Sequence, residues 1–326
     1  MTTRRVFLGT LASGLLAVPV TAEAHPAPRV YRIGVVLQGG PYFAAVDGLR
    51  AGLKELGFEE GKQYTLYIRD VKGDLKAAAE TAKTLEQEKV DLIYSVTTGV
   101  SLSVQRATTT VPVVFFAGRD AVGAGLVKSL AKPGGRLTGV EMRTEDLVAK
   151  RLEILKEMVP KIRRVIGFYN PDNPTAREYA RLNRDAARQL RMELVERHVR
   201  SVDELREGLR TLKPGEGDAL ILVGDAMVIA HGQLTVDAAK AKRLPTMCEE
   251  RMSVVAGGLA SYGTNYLAVG QMAAKHVHRV LLGTSPADLP VERSDRFELV
   301  INLKTAKALG LTIPPSLLAR ADEVIE

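Results

Sequence analysis

Short apolar runs alternate with amphipathic stretches along most of the chain. Residues 33–37 form a continuous apolar run, which is typical of a parallel strand that is covered on both faces. Phe43, Val46 and Leu49 then recur at helical spacing, and Gly57 ends that stretch. Because strands that alternate with helices require crossover connections, the pattern predicts an α/β fold with a parallel sheet.

The same alternation occurs twice. The predicted strands form two series of similar length and spacing, at 33–37, 64–69, 91–95 and 111–117, and then at 165–169, 193–198 and 219–223. The predicted helices between them lie at 43–56, 75–88, 101–107, 175–190 and 202–212. Since a chain of this length usually divides into two cores, we predict two Rossmann-like lobes, each with its own parallel sheet.

The last part of the chain is too short for a third lobe. A helix at 267–282 and a strand at 297–301 remain, and we interpret them as chain that crosses back between the lobes. The crossings predict a hinge of several strands near residues 139–143, 261–264 and 292–297. The predicted lobe boundaries are 29–142 with 264–292 for the first lobe, and 143–263 with 296–326 for the second.

The first residues predict export. Arg4 and Arg5 directly precede an apolar stretch at 6–20, which is too short to anchor the chain in a bilayer. Ala22 and Ala24 are small residues at the two positions that a signal peptidase accepts. We therefore expect residues 1–24 to be removed and the mature protein to be periplasmic. The paired arginines favour a twin-arginine signal, and the alternative is an ordinary secretory signal with two chance arginines.

Composition narrows the classes of function. The formal net charge is +7, but basic and acidic residues are interspersed along the predicted helices, which indicates a solvated surface and no nucleic-acid partner. Cys248 is the only cysteine, which excludes an intramolecular disulfide. No later segment is apolar enough to span a membrane, so we expect the mature chain to stay outside the bilayer. We also expect it to work as a monomer and to need no cofactor.

Polar and aromatic residues follow the predicted strands, where parallel sheets bind their ligands. Two lobes whose strand ends face each other form a cleft that closes by hinge bending. Tyr42 and Tyr262 are expected to flank an apolar part of a ligand. The full set of candidate ligand contacts is Gln38, Tyr42, Thr97, Thr98, Asp120, Asn170, Asn173, Asp225, Glu249 and Tyr262.

Charge and hydrogen-bonding capacity assign roles within this set. Asp120 and Asp225, on opposite lobes, would grip an ammonium or hydroxyl groups. Thr97, Thr98 and the helix N-terminus behind them would hold a carboxylate. The alternative for Thr98, Asp120 and Asn173 is that each only caps the helix that follows it.

Six longer segments carry a resemblance. They are GRDAVGAGLV at 118–127, LAKPGGRLTG at 130–139, KRLE at 150–153, NPDNP at 170–174, FELVINLKTAKALGL at 297–311 and PPSLLARADEVI at 314–325. Together they resemble the ABC transporter substrate-binding family typified by tryptophan and tyrosine binders. The resemblance implies a type I periplasmic-binding-protein fold and an ABC permease with its ATPase as partners. It also implies ligand-binding roles for Thr98, Asp120, Asn170 and Asp225.

Two positions depart from the family pattern. Thr97-Thr98-Gly99 stands where the family commonly has Gly-Thr-Pro, and Ala226-Met227 stands where proline is frequent. Both departures lie in the predicted cleft, so they bear on the identity of the ligand and leave transport intact. Aromatic amino acids, other small carboxylates and amides all stay open as ligands.

Two other functions were weighed. For an enzyme, the chain lacks the Gly-x-Ser-x-Gly nucleophile elbow, and His276 and His278 point to different faces of their predicted helix, which makes a poor metal pair. For a sensor, the same fold would serve as the ligand-sensing subunit of a membrane receptor, and this alternative stays open. The favoured hypothesis is a solute-binding protein of an ABC importer that closes around a small molecule.

Overall fold

The computed structural model describes residues 29–142 and 147–326. The predicted signal peptide at 1–24, with its arginine pair and its cleavage site, lies outside the described residues. So does Arg143 at the end of one predicted hinge segment. Within the two described ranges, no helix has both the length and the apolar character needed to cross a membrane.

The first sheet has six strands, and all of its strand pairs are parallel. In chain order they are β1 (Tyr31–Leu37), β2 (Tyr64–Asp70), β3 (Leu92–Val96), β4 (Val113–Ala117), β5 (Leu137–Glu141) and β11 (Glu292–Arg293). They lie side by side in the order β11-β5-β4-β3-β1-β2. Every residue of β3, β4 and β5 is buried, which agrees with the apolar sequence of β4.

Helices cover both faces of this sheet. They are α1 (Phe43–Glu55), α2 (Leu75–Gln87), α3 (Thr98–Ala107) and α10 (Tyr266–Leu281), and a 3-10 turn (Gly40–Tyr42) precedes α1. Ile33 and Val35 of β1 share a core with α1 and α10, whereas Val36 shares one with α2 and α3. The alternation of side chains along β1 therefore serves two helical layers. This sheet and its helices form the first lobe.

The second sheet has seven strands in the order β13-β12-β10-β9-β8-β6-β7. In chain order they are β6 (Arg164–Tyr169), β7 (Glu193–His198), β8 (Ala219–Leu222), β9 (Thr246–Cys248), β10 (Ala260–Thr264), β12 (Phe297–Asn302) and β13 (Glu323–Ile325). Its helices are α4 (Val148–Met158), α5 (Pro174–Gln189), α6 (Val202–Thr211), α7 (Ala226–Ala230), α8 (Gly232–Lys242), α9 (Arg251–Val255), α11 (Leu303–Leu309) and α12 (Pro315–Leu318). Together they form the second lobe.

The two sheets repeat one arrangement, as the sequence predicts. In the first, β1 lies between β2 and β3, and in the second, β6 lies between β7 and β8. One pair differs from the predicted parallel sheet, because β10 and β12 are antiparallel. β10 runs towards the first lobe and β12 returns from it, so the two strands run in opposite directions.

The chain passes between the lobes three times, after β5, after β10 and after β11. The three crossings lie together. The backbone N–H of Ser294 donates to the carbonyl of Glu141 at 2.9 Å, and that of Asn265 donates to the carbonyl of Arg296 at 3.1 Å. The guanidinium of Arg293 also pairs with the buried carboxylate of Glu141 at 2.7 Å. These positions agree with the predicted hinge segments where they fall within the described residues.

Candidate functional site

Loops from both lobes enclose one cavity between the two sheets. It holds about 660 Å3 of space, part of which is open to solvent. The first lobe contributes residues that follow β1, β3 and β4, and the second contributes residues that follow β8 and β9 together with parts of α4 and α5. Because these are carboxyl ends of parallel strands, the cavity lies where this class of sheet binds ligands.

A buried pair of polar side chains forms part of the first-lobe wall. The amide of Gln38 donates from Nε2 to Oγ1 of Thr97 at 2.8 Å. Oγ1 of Thr97 also accepts from the N–H of Val100 and so caps α3. Thr98, the first residue of this ten-residue helix, is buried and lines the cavity. The wall thus presents a helix N-terminus, which favours an anionic group.

Thr97 has an unusual backbone conformation, with φ of 90° and ψ of 150°. Side chains that branch at Cβ rarely adopt this region, and glycine adopts it readily. Hydrogen bonds hold the residue in place, since its N–H donates to the carbonyl of Phe116 at 3.0 Å and its own carbonyl accepts from the N–H and hydroxyl of Ser101. The glycine of the family pattern at this position is therefore what the local geometry favours.

Aromatic rings line the cavity next to the crossings. The rings of Tyr42 and Tyr266 meet edge to face at 5.1 Å between centroids, and Phe116 meets Tyr266 at 5.9 Å. Burial raises the pKa of the Tyr42 hydroxyl well above its usual value, and it also raises the pKa of the Tyr266 hydroxyl. Both hydroxyls are therefore neutral, and they hydrogen-bond to each other, with Tyr42 as the donor.

A charged pair from the second lobe also lines the cavity. Nη1 of Arg151 lies 2.9 Å from Oε1 of Glu249, and both side chains are more than nine-tenths buried. Nε of Arg151 donates to the carbonyl of Tyr262 in β10 at 2.7 Å. Burial raises the pKa of Glu249, and the positive charge of Arg151 opposes that increase. The pair thus links α4, β10 and the residue that follows β9.

The two lobes also touch each other directly. The hydroxyl of Tyr179 in α5 donates to the carbonyl of Gly118 in the first lobe at 3.0 Å. Gly40 packs against backbone atoms of Ala230, so a Cβ atom at Gly40 would lie 2.6 Å from the Ala230 carbonyl oxygen. These contacts join loops that the sequence places in different halves of the chain.

Six of the ten candidate contacts from the sequence line the cavity, namely Gln38, Tyr42, Thr97, Thr98, Asn173 and Glu249. The structure brings them together from loops as far apart as those after β1 and β9. Asn173 also caps α5, because its side-chain oxygen accepts from the N–H of Thr175 at 3.0 Å. That these residues contact a ligand stays a prediction.

The other four, Asp120, Asn170, Asp225 and Tyr262, do not line the cavity. Asp225 is fully buried, and it accepts from the N–H groups of Asn170, Met227 and Val228 at 2.9 to 3.1 Å. Asp120 accepts from Val122 and Gly123 in the same way. Asn170 accepts from the N–H of Asp172, and the ring of Tyr262 faces Phe297. Both aspartates thus cap backbone N–H groups, and a ligand contact of these four residues stays a prediction.

Several lining residues were not predicted. The most informative are Phe116, Arg119, Arg151, Tyr179 and Tyr266. Arg119 adjoins the candidate Asp120, so its position after β4 was a usable signal. Tyr266 was equally accessible, because it follows the crossing after β10. Arg151 and Tyr179 lie inside helices, and nothing in their local pattern distinguishes a side chain that faces a cavity from one that faces a core.

The described residues contain no group of three or more histidine, cysteine, aspartate or glutamate side chains that could hold a metal ion. His276 is buried and contacts the carbonyl of Pro290 through Nε2 at 3.0 Å.

Comparison with known proteins identifies relatives over nearly the whole described chain. A family model described as ABC transporter substrate binding protein matches residues 32–325. The tyrosine-binding protein of Clostridioides difficile (strain R20291) is 29% identical over 269 residues, which cover 82% of this chain and 76% of the relative.

Two solved structures are similar in fold and sequence. An ABC domain in complex with L-Trp from Streptococcus pneumonia superposes with a TM-score of 0.82 at 27% identity, covering 91% of this chain and 100% of that one. The ligand-free, open structure of a substrate binding protein with adhesive properties from Clostridium difficile gives 0.62 at 26% identity, covering 91% and 99%. Because the family model matches residues from both lobes, this chain belongs to the ABC transporter substrate-binding protein family.

Proposed function

We propose that the protein is an exported solute-binding protein that captures a small molecule in the cavity between its lobes and delivers it to an ABC importer. The observation that carries this proposal is the cavity itself, which is lined by the strand ends of both lobes and bridged by the hydrogen bond from Tyr179 to Gly118. A ligand that contacts both walls stabilises the closed arrangement, and no covalent step is needed.

The two structural comparisons support hinge closure. Identity and coverage are nearly equal for the tryptophan complex and for the ligand-free, open structure, yet the TM-scores are 0.82 and 0.62. Because identity and coverage are so similar, a different angle between the lobes is the explanation that the proposal favours for this difference. The arrangement described here therefore corresponds to a closed state, whose ligand-free form in solution is expected to be more open.

Export and assembly complete the proposal. A twin-arginine signal at 1–24 directs the chain to the periplasm, where the mature monomer meets an ABC permease and its ATPase. The hinge divides the protein into a first lobe of residues 29–142 with 264–292 and a second of 143–263 with 296–326, as the distribution of strands between the sheets supports.

The ligand is proposed to be a small organic acid with an apolar or aromatic part, and amino acids are the first candidates. The N-terminus of α3 at Thr98 suits a carboxylate, and the rings of Tyr42, Phe116 and Tyr266 suit an apolar part. Two relatives, a tyrosine-binding protein and an ABC domain in complex with L-Trp, support the same class of ligand.

Thermal-shift screening of residues 29–326 against a metabolite library tests binding, because a ligand that binds the folded state raises its melting temperature. We expect a hit among small carboxylates, and the shift should disappear when Thr98→Trp fills the cavity. A library without any hit, or a hit that Thr98→Trp leaves unchanged, contradicts the proposed site.

A deletion strain tests transport against the alternative, a ligand-sensing subunit of a membrane receptor. The importer function predicts that uptake of the identified compound is lost. Intact uptake together with loss of a cellular response to the same compound would favour the receptor.

A further inference from the structure

The charged pair of the second lobe has unused binding capacity. The carboxylate of Glu249 pairs with Arg151 at 2.9 Å and accepts a hydrogen bond from the N–H of Gly224. A carboxylate accepts about four hydrogen bonds, so Glu249 can accept more. Because Glu249 lines the cavity, a ligand in the cavity can reach its side chain.

The other carboxylates near the site are already committed. Asp225 accepts three backbone N–H groups, Asp120 accepts two, and neither lines the cavity. Among the residues that the structure describes, Glu249 is the acidic side chain in the cavity wall. A positively charged ligand group placed against this wall would therefore meet Glu249.

We propose that Glu249 binds a positively charged amino group of the ligand, and that Arg151 is a positioning residue whose charge favours the ionised Glu249 carboxylate and whose ion pair holds it in the cavity wall. This inference rests on the proposed function, because it assigns roles within the same cavity. It implies that a ligand with a protonated amine binds more tightly than its amine-free analogue.

The surroundings of Glu249 explain why Arg151 is needed. Burial favours the neutral carboxyl group, and the neighbouring carboxylates of Glu250 and Asp225 add to this effect. The hydroxyls of Tyr42 and Tyr266 face it and carry no positive charge. Of the described groups that act on Glu249, Arg151 supplies the positive charge that lowers its pKa. Removing Arg151 therefore favours protonation, and a protonated carboxyl group no longer forms an ion pair.

Matched ligands test the first part of the inference. The probes are L-tryptophan, L-tyrosine, L-phenylalanine and L-leucine, each compared by calorimetry with the analogue that has hydrogen in place of the α-amino group. We expect the wild-type protein to bind at least one amino acid more tightly than its analogue, by about tenfold or more. Glu249→Gln, which has nearly the same shape, should remove that preference.

The pH profile of binding tests Arg151. As the pH falls below the pKa of Glu249, the affinity for the amino acid should fall on the order of tenfold per pH unit. In Arg151→Met this decline should begin at a higher pH than in the wild type, because the pKa of Glu249 is raised further. Arg151→Lys retains the charge and should restore the wild-type profile. Lys150→Met is the matched control, since Lys150 lies on the same helix and pairs with the exposed Glu153.

Arg151→Met alone leaves the Glu249 charge buried without its partner and could fail to fold. The double variant Arg151→Met with Glu249→Gln avoids this problem, because it removes both charges. It should show neither the amine preference nor the pH dependence. A wild-type protein that binds each analogue as tightly as its amino acid, or binds none of these probes, overturns the inference. So does a pH profile that Arg151→Met leaves unchanged. A ligand without an amine from the metabolite screen would leave the proposed function standing while this inference fails.

Discussion

The backbone of Thr97 shows how one residue can be strained and still be held. Its φ of 90° suits glycine, yet contacts with Phe116, Ser101 and Gln38 fix it beside the cavity. Local strain of this kind is often found at functional sites, where surrounding contacts determine the conformation.

Replacing Thr97 with glycine should give a more stable protein than replacing it with alanine. Both variants lose the hydroxyl, but only alanine keeps a Cβ atom in a conformation that costs about 1–3 kcal/mol, and the greater freedom of unfolded glycine offsets about 1 kcal/mol. We expect Thr97→Gly to exceed Thr97→Ala by about 1 kcal/mol in free energy of unfolding, measured by urea denaturation. Greater stability of the alanine variant would show that the backbone is unstrained.

Glu86 predicts a pH-dependent contribution to stability. Burial disfavours its charge, but the N–H groups of Thr110, Val111 and Thr109 outweigh burial and lower its pKa from 4.5 to about 2. Because the folded-state pKa is lowered, this stability is present above about pH 4.5 and is lost as the pH falls towards 2.

Accordingly, Glu86→Gln should lower the free energy of unfolding by about 1 kcal/mol at pH 7. The difference from the wild type should shrink below pH 4.5 and be smallest near pH 2. Chemical denaturation at several pH values measures it, and a difference that does not depend on pH would contradict the assignment.

The sequence identified cavity-lining residues just after strands, such as Gln38 after β1 and Thr98 after β3, because the end of a strand fixes their position. It could not separate capping from ligand binding at Asp225, since both functions use a carboxylate at a helix start. Arg151 was missed because its contact with Glu249 joins residues that are far apart in the chain.

At the scale of secondary-structure elements, α1 and α10 pack with their backbones unusually close. A Cβ atom at Gly48 would lie 2.0 Å from the carbonyl oxygen of Leu267, and one at Gly270 would lie 2.1 Å from that of Ala45. Real Cβ atoms do not approach backbone this closely, so glycine at these positions is required by the helix pair.

Gly48→Ala should therefore destabilise the protein, although alanine favours helices by about 1 kcal/mol. Overpacking in a dense core costs about 1–3 kcal/mol, and the clash here involves backbone, so we expect a net loss of about 2 kcal/mol in thermal or urea unfolding. Lys54→Ala, at an exposed position of the same helix, serves as the control and should change stability by less than about 0.5 kcal/mol. A Gly48→Ala variant as stable as the wild type would contradict the packing.

Long periodic elements were predictable, whereas short ones were not. The predicted strand at 193–198 has the same bounds as β7, and the predicted helix at 175–190 differs from α5 by one residue at each end. Five-residue helices such as α7 and α9 contain too few turns to show a period. The antiparallel pairing of β12 depends on where the chain enters the sheet, which hydrophobic periodicity does not encode.

At the scale of the whole molecule, closure requires the turn at Gly40 to approach α7. Gly40→Ala places a Cβ atom 2.6 Å from the Ala230 carbonyl oxygen, so the closed state should be disfavoured and ligand affinity should fall by about tenfold or more. Gly61→Ala is a matched control, since Gly61 also has a positive φ of 85° but no atom within 4 Å. Calorimetry with the ligand found by screening measures both, and equal affinities would contradict the closure contact.

Ligand-driven closure is tested most directly by small-angle X-ray scattering of residues 29–326 with and without the ligand found by screening. Binding should reduce the radius of gyration, and the scattering profile of the complex should match the arrangement described here. A radius of gyration that does not change at saturating ligand, or that increases, would contradict the account.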